Sequence, residues 1–386
     1  MSVWATLGDS PGIEALQREV EIEGAGRSWL LAGPRGSGKR RAALAMAAAL
    51  NCSQAPGRGC GECRSCARTL RLRHPDVHYV SPEGPIISVD VIREAIVPEA
   101  ARSPFEASVK VFVIEEADRM NDSAQNALLK TLEEPRADTA FVLISDHEDE
   151  LLETIRSRCL VVHLHPMPEE RLVQSLVARG ASAERAALAA RASDGDPERA
   201  EALAFDEHVL ERRRFWTSIP SRLRTSIEAL DAAAEIVEEA RAAVKERERA
   251  HKEEVVELAE ALGEGRRTAA ARQALAKRHR RELRRVEEEV LAEAMDFLAS
   301  FYRDVVVTRT GAVDRVYNLD LQEELRAWAD SELRDGGLLA GAERCIAARE
   351  SLTRNANVPL AMEAALLDLV KLIGLERVAP AGTTSH

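Results

Sequence analysis

Residues 33–40 read G-P-R-G-S-G-K-R, and no other run constrains the fold of this 386-residue chain so tightly. The pattern G-x-x-x-x-G-K-[ST] works only between a strand and a helix, because the N–H groups of a glycine turn and of a helix N-terminus must converge on a phosphate. Gly33, Gly38 and Lys39 fill the motif positions, and Gly36 adds a second turn residue inside the loop. Arg40 stands where a hydroxyl normally ligates Mg²⁺. The flanks suit the motif. Residues 28–32 (S-W-L-L-A) form a short apolar run, and residues 41–50 (R-A-A-L-A-M-A-A-A-L) are strong helix formers. The blander reading is a chance glycine-rich turn, and the flanks weigh against it. The loop can hold phosphates through its backbone and Lys39, with part of the metal side missing.

A second apolar segment, residues 109–114 (V-K-V-F-V-I), has the β-branched character of a strand buried on both faces. It runs into Glu115 and Glu116. Paired acids at the end of such a strand form a Walker B arrangement, in which the first helps hold Mg²⁺ and the second polarises water. Glu115 is one methylene longer than the usual Asp, a second change on the metal side, and Glu116 occupies the position of the base. Residues 124–134 read as an amphipathic helix stopped by Pro135. Residues 140–144 read as another strand, ending at Ser145 and Asp146, where polar groups face the γ-phosphate position. His163 and His165 alternate along a strand at 160–164 and read as surface or core residues rather than ligands.

Four of the six cysteines, Cys52, Cys60, Cys63 and Cys66, fall in a C-x7-C-x2-C-x2-C cluster with Gly57, Gly59 and Gly61 between them. Thiolates at this density fit a closed, structural Zn²⁺ site. A disulfide pair is the alternative, disfavoured for a chain expected to be cytoplasmic because its N-terminus lacks a signal-peptide pattern. Cys159 and Cys345 stand alone and read as packed, inert thiols.

Net charge is −12, which excludes a generally basic nucleic-acid-binding surface. Apolar residues make up 45% of the chain and aromatics only 4%, a balance that leans towards helix. No apolar run approaches membrane-spanning length. In the C-terminal half, Ile227, Leu230, Ala234, Val237, Ala240 and Val244 recur at helical spacing, as do Leu283, Val286, Val290, Leu291, Ala294 and Leu298. With Gly263 and Gly265 between the two sets, this predicts an antiparallel helical hairpin with charged outer faces. The basic stretch 277–285 reads as a solvated helix face, with a patch for DNA or an acidic partner as the sharper alternative.

Taken together, GPRGSGK, the cysteine module, His74-Pro75-Asp76-Val77, Ile114-Glu115-Glu116-Ala117-Asp118, the N-A-L-L-K-T-L-E-E-P run at 126–135 and Ser157-Arg158-Cys159 resemble the bacterial DNA polymerase III clamp loader family, within the AAA+ ATPases. The resemblance covers roughly residues 1–200. It is nearest the delta-prime branch, because the gamma and tau motors keep a Walker A Thr and a D-E-x-H Walker B.

The resemblance implies an α/β AAA+ P-loop domain, with a parallel sheet between helices, over 1–165 and a zinc module inserted at 52–66. A helical lid would follow at 166–210, then an all-α collar with a long helical hairpin at 211–377, enlarged by a charged insertion near 235–280, and a disordered tail at 378–386. It implies that Arg158 reaches a neighbouring subunit's ATP as an arginine finger and that Arg199, in a segment like sensor 2, contacts phosphate. A capping Asp196 followed by Pro197 would give the same letters as that segment. The implied cofactors are structural Zn²⁺ and ATP, with Mg²⁺ in doubt. The implied partners are gamma/tau and delta in a hetero-oligomeric arc, the sliding clamp, and primed DNA reached through the complex. A motor ATPase of the same complex and an unrelated P-loop kinase are the competing functions.

Overall fold

The computed structural model describes residues 2–4, 7, 10–22, 24, 26–82, 84–262, 266–331, 333–352 and 357–374. The chain divides into two compact units, Met1–Asp206 and Glu207–His386.

The first unit is built on five parallel strands. In chain order its elements are α1 (Pro11–Ile22), β1 (Ser28–Ala32), α2 (Lys39–Leu50), α3 (Arg64–Leu70), β2 (Val77–Val80), α4 (Val97–Ala100, entered through a π-helical turn Val91–Ile96), β3 (Lys110–Ile114), α5 (Asp122–Glu133), β4 (Thr139–Ser145), α6 (Glu153–Arg156) and β5 (Leu160–His163). The sheet order is β2-β3-β4-β1-β5. Period-two alternation sends Trp29, Leu31, Val111, Val113, Val142 and Ile144 to one face, where they pack with Leu16 of α1 and the alanines of α2. Leu30, Phe112, Ile114, Phe141 and Leu143 go to the other face, against Ile92, Leu128 and Leu132. Burial on both faces explains why these strands read as continuous apolar runs. Ala42, Ala43 and Ala45–Ala49 of α2 are almost fully buried, since small side chains let the helix axis lie close to the sheet. Three helices complete this unit: α7 (Glu169–Ala178), α8 (Ala183–Ala192) and α9 (Pro197–Phe205).

The second unit is all helical: α10 (Glu207–Arg222), α11 (Ser226–Leu262), α12 (Arg266–Arg309), α13 (Gln322–Ala329), α14 (Asp335–Leu352) and α15 (Val358–Gly374). α12 packs against α14, α11, α13 and α10, and α15 closes on α11 and α14. No helix among the described residues is long and apolar enough to cross a membrane.

The hairpin forms, but one of its stripes differs from the sequence expectation. On α12, Val290, Leu291, Ala294 and Leu298 are buried as expected, while Leu283 and Val286 are half-buried. On α11 the buried face is Ala229, Ala232, Ala233, Ile236, Val237 and Ala240, whereas Ile227 and Leu230 are exposed and so is Ala234. Alanines make up most of this face, with Ile236 and Val237; of the expected stripe Val237 and Ala240 lie on it and Ile227, Leu230 and Ala234 beside it. Gly263, Gly265 and the tail at 378–386 lie outside the described residues, as do the side chains of Lys277 and Arg278. Of the rest of the basic stretch, Arg284 pairs with Glu288 at 2.8 Å and Arg285 with Glu289 at 2.6 Å, each one turn ahead. His279 is buried inside the hairpin, stacked on His251 with ring centroids 3.7 Å apart. Nε2 of His279 lies 3.1 Å from a Glu254 carboxylate oxygen, and Nε2 of His251 lies 3.0 Å from Glu282.

A buried ionic network ties α10 to the segment after α12. The Arg213 guanidinium is fully buried, donating to both carboxylate oxygens of Asp320 at 2.7 and 2.8 Å and to Asn318 Oδ1 at 2.8 Å. Asp304 of α12 accepts from the backbone of Tyr317 and Asn318 at 3.1 and 2.8 Å. Removing one partner of such a network leaves the others desolvated and unpaired. Arg213→Met is therefore expected to destabilise the protein by about 3 kcal/mol, read as a lower urea midpoint, while Arg214→Ala on the exposed side shifts it little. An unchanged midpoint in Arg213→Met would show that the network adds no stability.

Candidate functional site

The glycine loop leaves the C-terminal end of β1, the central attachment point of the site. Gly33, Gly36 and Gly38 have φ of 148°, 78° and 77°, and Gly38 is the N-cap of α2. A Cβ on Gly33 would lie 2.0 Å from the carbonyl oxygen of Leu164, so only glycine fits there. Lys39 opens α2 and is 5% exposed. Its ammonium turns back onto its own loop, donating to Pro34 O at 2.6 Å, Gly33 O at 2.7 Å and Ser37 Oγ at 3.3 Å. Asp146 Oδ1, just beyond β4, lies 2.9 Å from the same nitrogen. The sequence marked Asp146 only as a polar strand end. Its pairing with Lys39 depends on strand order, which the sequence does not display.

The N-terminus of α9 lies against the same loop. Asp196 caps that helix, accepting from Glu198 N at 2.9 Å and Arg199 N at 3.2 Å, with Pro197 in the first turn. A Cβ on Gly36 would be 3.1 Å from Asp196 Cβ, and one on Gly38 would be 3.6 Å from Pro197 Cγ. The cap and proline therefore account for the letters of this segment, while Arg199 is half-buried in the first turn of α9. Arg41 of α2 reaches Glu201 of α9 at 3.3 Å. Arg40, in place of the metal-ligating hydroxyl, lies over the Tyr79 ring, 5.6 Å from its centroid.

Glu115 and Glu116 follow β3, which is separated from β1 by β4. Glu115 is buried, and its N–H donates to Val80 O at 2.8 Å. Glu116 sits in the left-handed region at φ 50°, a conformation costing a non-glycine residue about 1–2 kcal/mol. Its carboxylate pairs with Arg119, which also donates to Pro85 O at 3.0 Å. Arg158 lies between α6 and β5, partly exposed. Its guanidinium donates to Glu133 Oε1 at the end of α5 and to Thr154 O, both at 3.0 Å.

The four clustered cysteines converge between α2 and α3. Their sulfurs all lie within 4.8 Å of one another, and Cys52 and Cys63 Sγ are 3.9 Å apart. A tetrahedral ion with Zn–S bonds of ~2.3 Å requires sulfurs about 3.8 Å apart, so the set can hold such an ion. Gly57, Gly59 and Gly61 turn the chain at φ of 78°, 68° and 80°. Backbone N–H groups point at the sulfurs: Ala55 and Cys60 to Cys52 at 3.2 and 3.3 Å, Cys63 to Cys60 at 3.2 Å, and Cys66 to Cys63 at 3.4 Å. Burial opposes ionisation of Cys63, yet the bonds from Cys66 N–H and Ser53 bring its thiol down to about 5. Burial pushes Cys66 up. Burial raises the thiols of Cys159 and Cys345 each to about 12, the state of packed thiols.

Five parallel strands covered by helices, with a glycine loop between β1 and α2, define an α/β fold of the P-loop kind. Residues 8–168 match the family model for DNA polymerase III, delta subunit. The chain is 33% identical over 202 residues to DNA polymerase III subunit delta′ of Bacillus subtilis, covering 52% of this chain and 61% of that protein. It is 36% identical over 199 residues to subunit delta′ of Escherichia coli K12, covering 50% and 59%. It is also 32% identical over 174 residues to the gamma subunit of Buchnera aphidicola from Acyrthosiphon pisum, covering 44% and 47%. The matched stretch spans 43–61% of the first delta-prime relatives' length. A solved DNA polymerase III gamma subunit-related protein from Thermotoga maritima is similar over 93% of this chain and 99% of that one, at 19% identity and a TM-score of 0.42, a likeness too loose to carry weight.

The cysteine module makes a direct prediction. Purified protein is expected to carry close to one zinc per chain by elemental analysis. Cys60→Ser is expected to lose that metal and, with it, protection of residues 52–66 from proteolysis. Full-length protein free of zinc, yet equally resistant to protease, would remove the metal assignment.

Proposed function

We propose that this chain is a delta-prime-like subunit of the bacterial DNA polymerase III clamp loader. It completes an arc with gamma/tau and delta, helps load the sliding clamp onto primed DNA, and offers Arg158 to the ATP of a neighbouring subunit. In this reading 1–165 is the P-loop domain, 166–210 the lid and 211–377 the collar, with Zn²⁺ held structurally by Cys52, Cys60, Cys63 and Cys66. DNA is reached through the complex rather than by a basic face of this chain, whose net charge is −12.

The observation that carries the reading is the altered metal side of the nucleotide site. Arg40 replaces the hydroxyl that would ligate Mg²⁺, and Glu115 replaces the usual Asp. A chain with these changes is poorly equipped to hydrolyse ATP itself. Arg158 remains able to act elsewhere. Its ion pair with Glu133 is partly solvated, so exchanging that partner for a phosphate costs little. A guanidinium beside a transferring phosphoryl group stabilises its developing charge. The second reading, a gamma/tau-like motor, is favoured by the retained Lys39 and Glu116 and by the similarity to gamma subunits.

Turnover assays separate the two. The isolated chain is expected to show Mg²⁺-dependent ATP hydrolysis near background, and robust hydrolysis would select the motor reading. In the reconstituted complex, Arg158→Ala is expected to slow hydrolysis at one neighbouring site by about a thousandfold, visible as a missing fraction of a single-turnover burst. An undiminished burst would remove the trans-acting role.

A further inference from the structure

An ammonium has three N–H donors. Those of Lys39 have Pro34 O at 2.6 Å, Gly33 O at 2.7 Å and Asp146 Oδ1 at 2.9 Å as close acceptors, with Ser37 Oγ more distant at 3.3 Å. In a working P-loop this lysine reaches the β- and γ-phosphates. Here a carboxylate of the same chain already supplies the anion. Its position is set by the sheet. Ala32 of β1 is in register with Ser145 of β4, so the two following loops emerge side by side and bring Asp146 onto Lys39.

Two further features act in the same direction. The carboxylate of Asp196 lies beside Gly36, with Oδ2 3.4 Å from the position a Cβ would take there. Arg40 occupies the position whose hydroxyl would bring in a screening Mg²⁺. A γ-phosphate entering this loop would therefore meet Asp146, itself partly exposed, at close range and have to displace it from a buried cation.

We propose that Asp146 is an internal counter-ion to Lys39 that takes the place of the γ-phosphate, so that the loop discriminates against nucleoside triphosphates. The selectivity lies in the terminal phosphate. A diphosphate, whose charge ends at the β-position held by loop N–H groups, meets the carboxylate less directly. This inference rests on the P-loop reading of residues 33–39 and is independent of any role for Arg158.

The test is binding of ATPγS and ADP to the full-length protein by calorimetry, with and without Mg²⁺, so that hydrolysis does not enter. Asp146→Asn keeps the shape and removes the charge. It is expected to tighten ATPγS binding by at least about tenfold, with a smaller gain for ADP, and adding Lys39→Ala should abolish the gain. An unchanged or weaker affinity for ATPγS in Asp146→Asn would overturn the proposal. So would an equal gain for both nucleotides, which would signal a general charge effect. Asp146→Ser is read in the same way if the Asn variant fails to fold by circular dichroism. Failure of the Arg158 experiment leaves these outcomes untouched, because no neighbouring subunit is present.

Discussion

The parallel register between β1 and β4 determines the arrangement of the site. Ala32 sits opposite Ser145, and on its other side β1 pairs with β5, with Leu164 N–H closing onto Ala32 O at 2.8 Å. Three chain segments thus leave the sheet at one point. The first turns through glycine into α2, the second delivers Asp146, and the third supplies the carbonyl against which Gly33 packs. Because each face of the sheet interlocks with its own apolar layer, sliding one strand by a residue would swap side chains of different size between the two cores and disrupt the packing. The electrostatics of the loop therefore follow from how the core is packed.

The glycine loop and the cysteine module of the first unit are joined by α2. Its N-terminus carries Gly38 and Lys39, and its C-terminal turn is tied to the cysteine module, where Cys66 Sγ lies 3.5 Å from Ala48 O and Gly57 N–H donates to Ala49 O at 2.9 Å. A metal held by the four cysteines would fix the far end of the helix that presents the glycine loop. Asp76 makes a similar brace nearby, since its buried carboxylate accepts from the N–H groups of Glu106 and Ala107, both at 2.9 Å, and so shapes the approach to β3. Burial opposes ionisation of that carboxyl, yet these bonds and that from Phe105 hold it below the usual carboxylate range.

Much of this was legible in the letters, for identifiable reasons. The glycine loop, the acidic strand end and the cysteine cluster are local patterns, each requiring particular residues at short spacing, and each forms where the sequence marks it. What the letters did not display depends on distant pairing. Asp146 meets Lys39 across 107 positions, and Arg158 meets Glu133 through the packing of α5 beside α6. The α11 stripe was legible in part: Val237 and Ala240 are buried where helical spacing put them, whereas close helix contact selected alanines of the neighbouring face and left Ile227 and Leu230 outside. His251 and His279 gave no signal at all. Each lies in a run of charge that reads as solvated, and only the hairpin brings the two rings together.

The tight fit of Gly33 bears on how such loops are read. A methyl group there would collide with the backbone oxygen of Leu164, just past β5, whether or not any nucleotide ever visits. Lys39 likewise satisfies carbonyls of its own loop. Two of the most diagnostic letters of the motif thus have architectural duties that would persist after catalysis was abandoned. A nucleotide signature in a sequence can therefore outlive its ligand, kept in place by close packing at the glycine and by hydrogen bonds at the lysine.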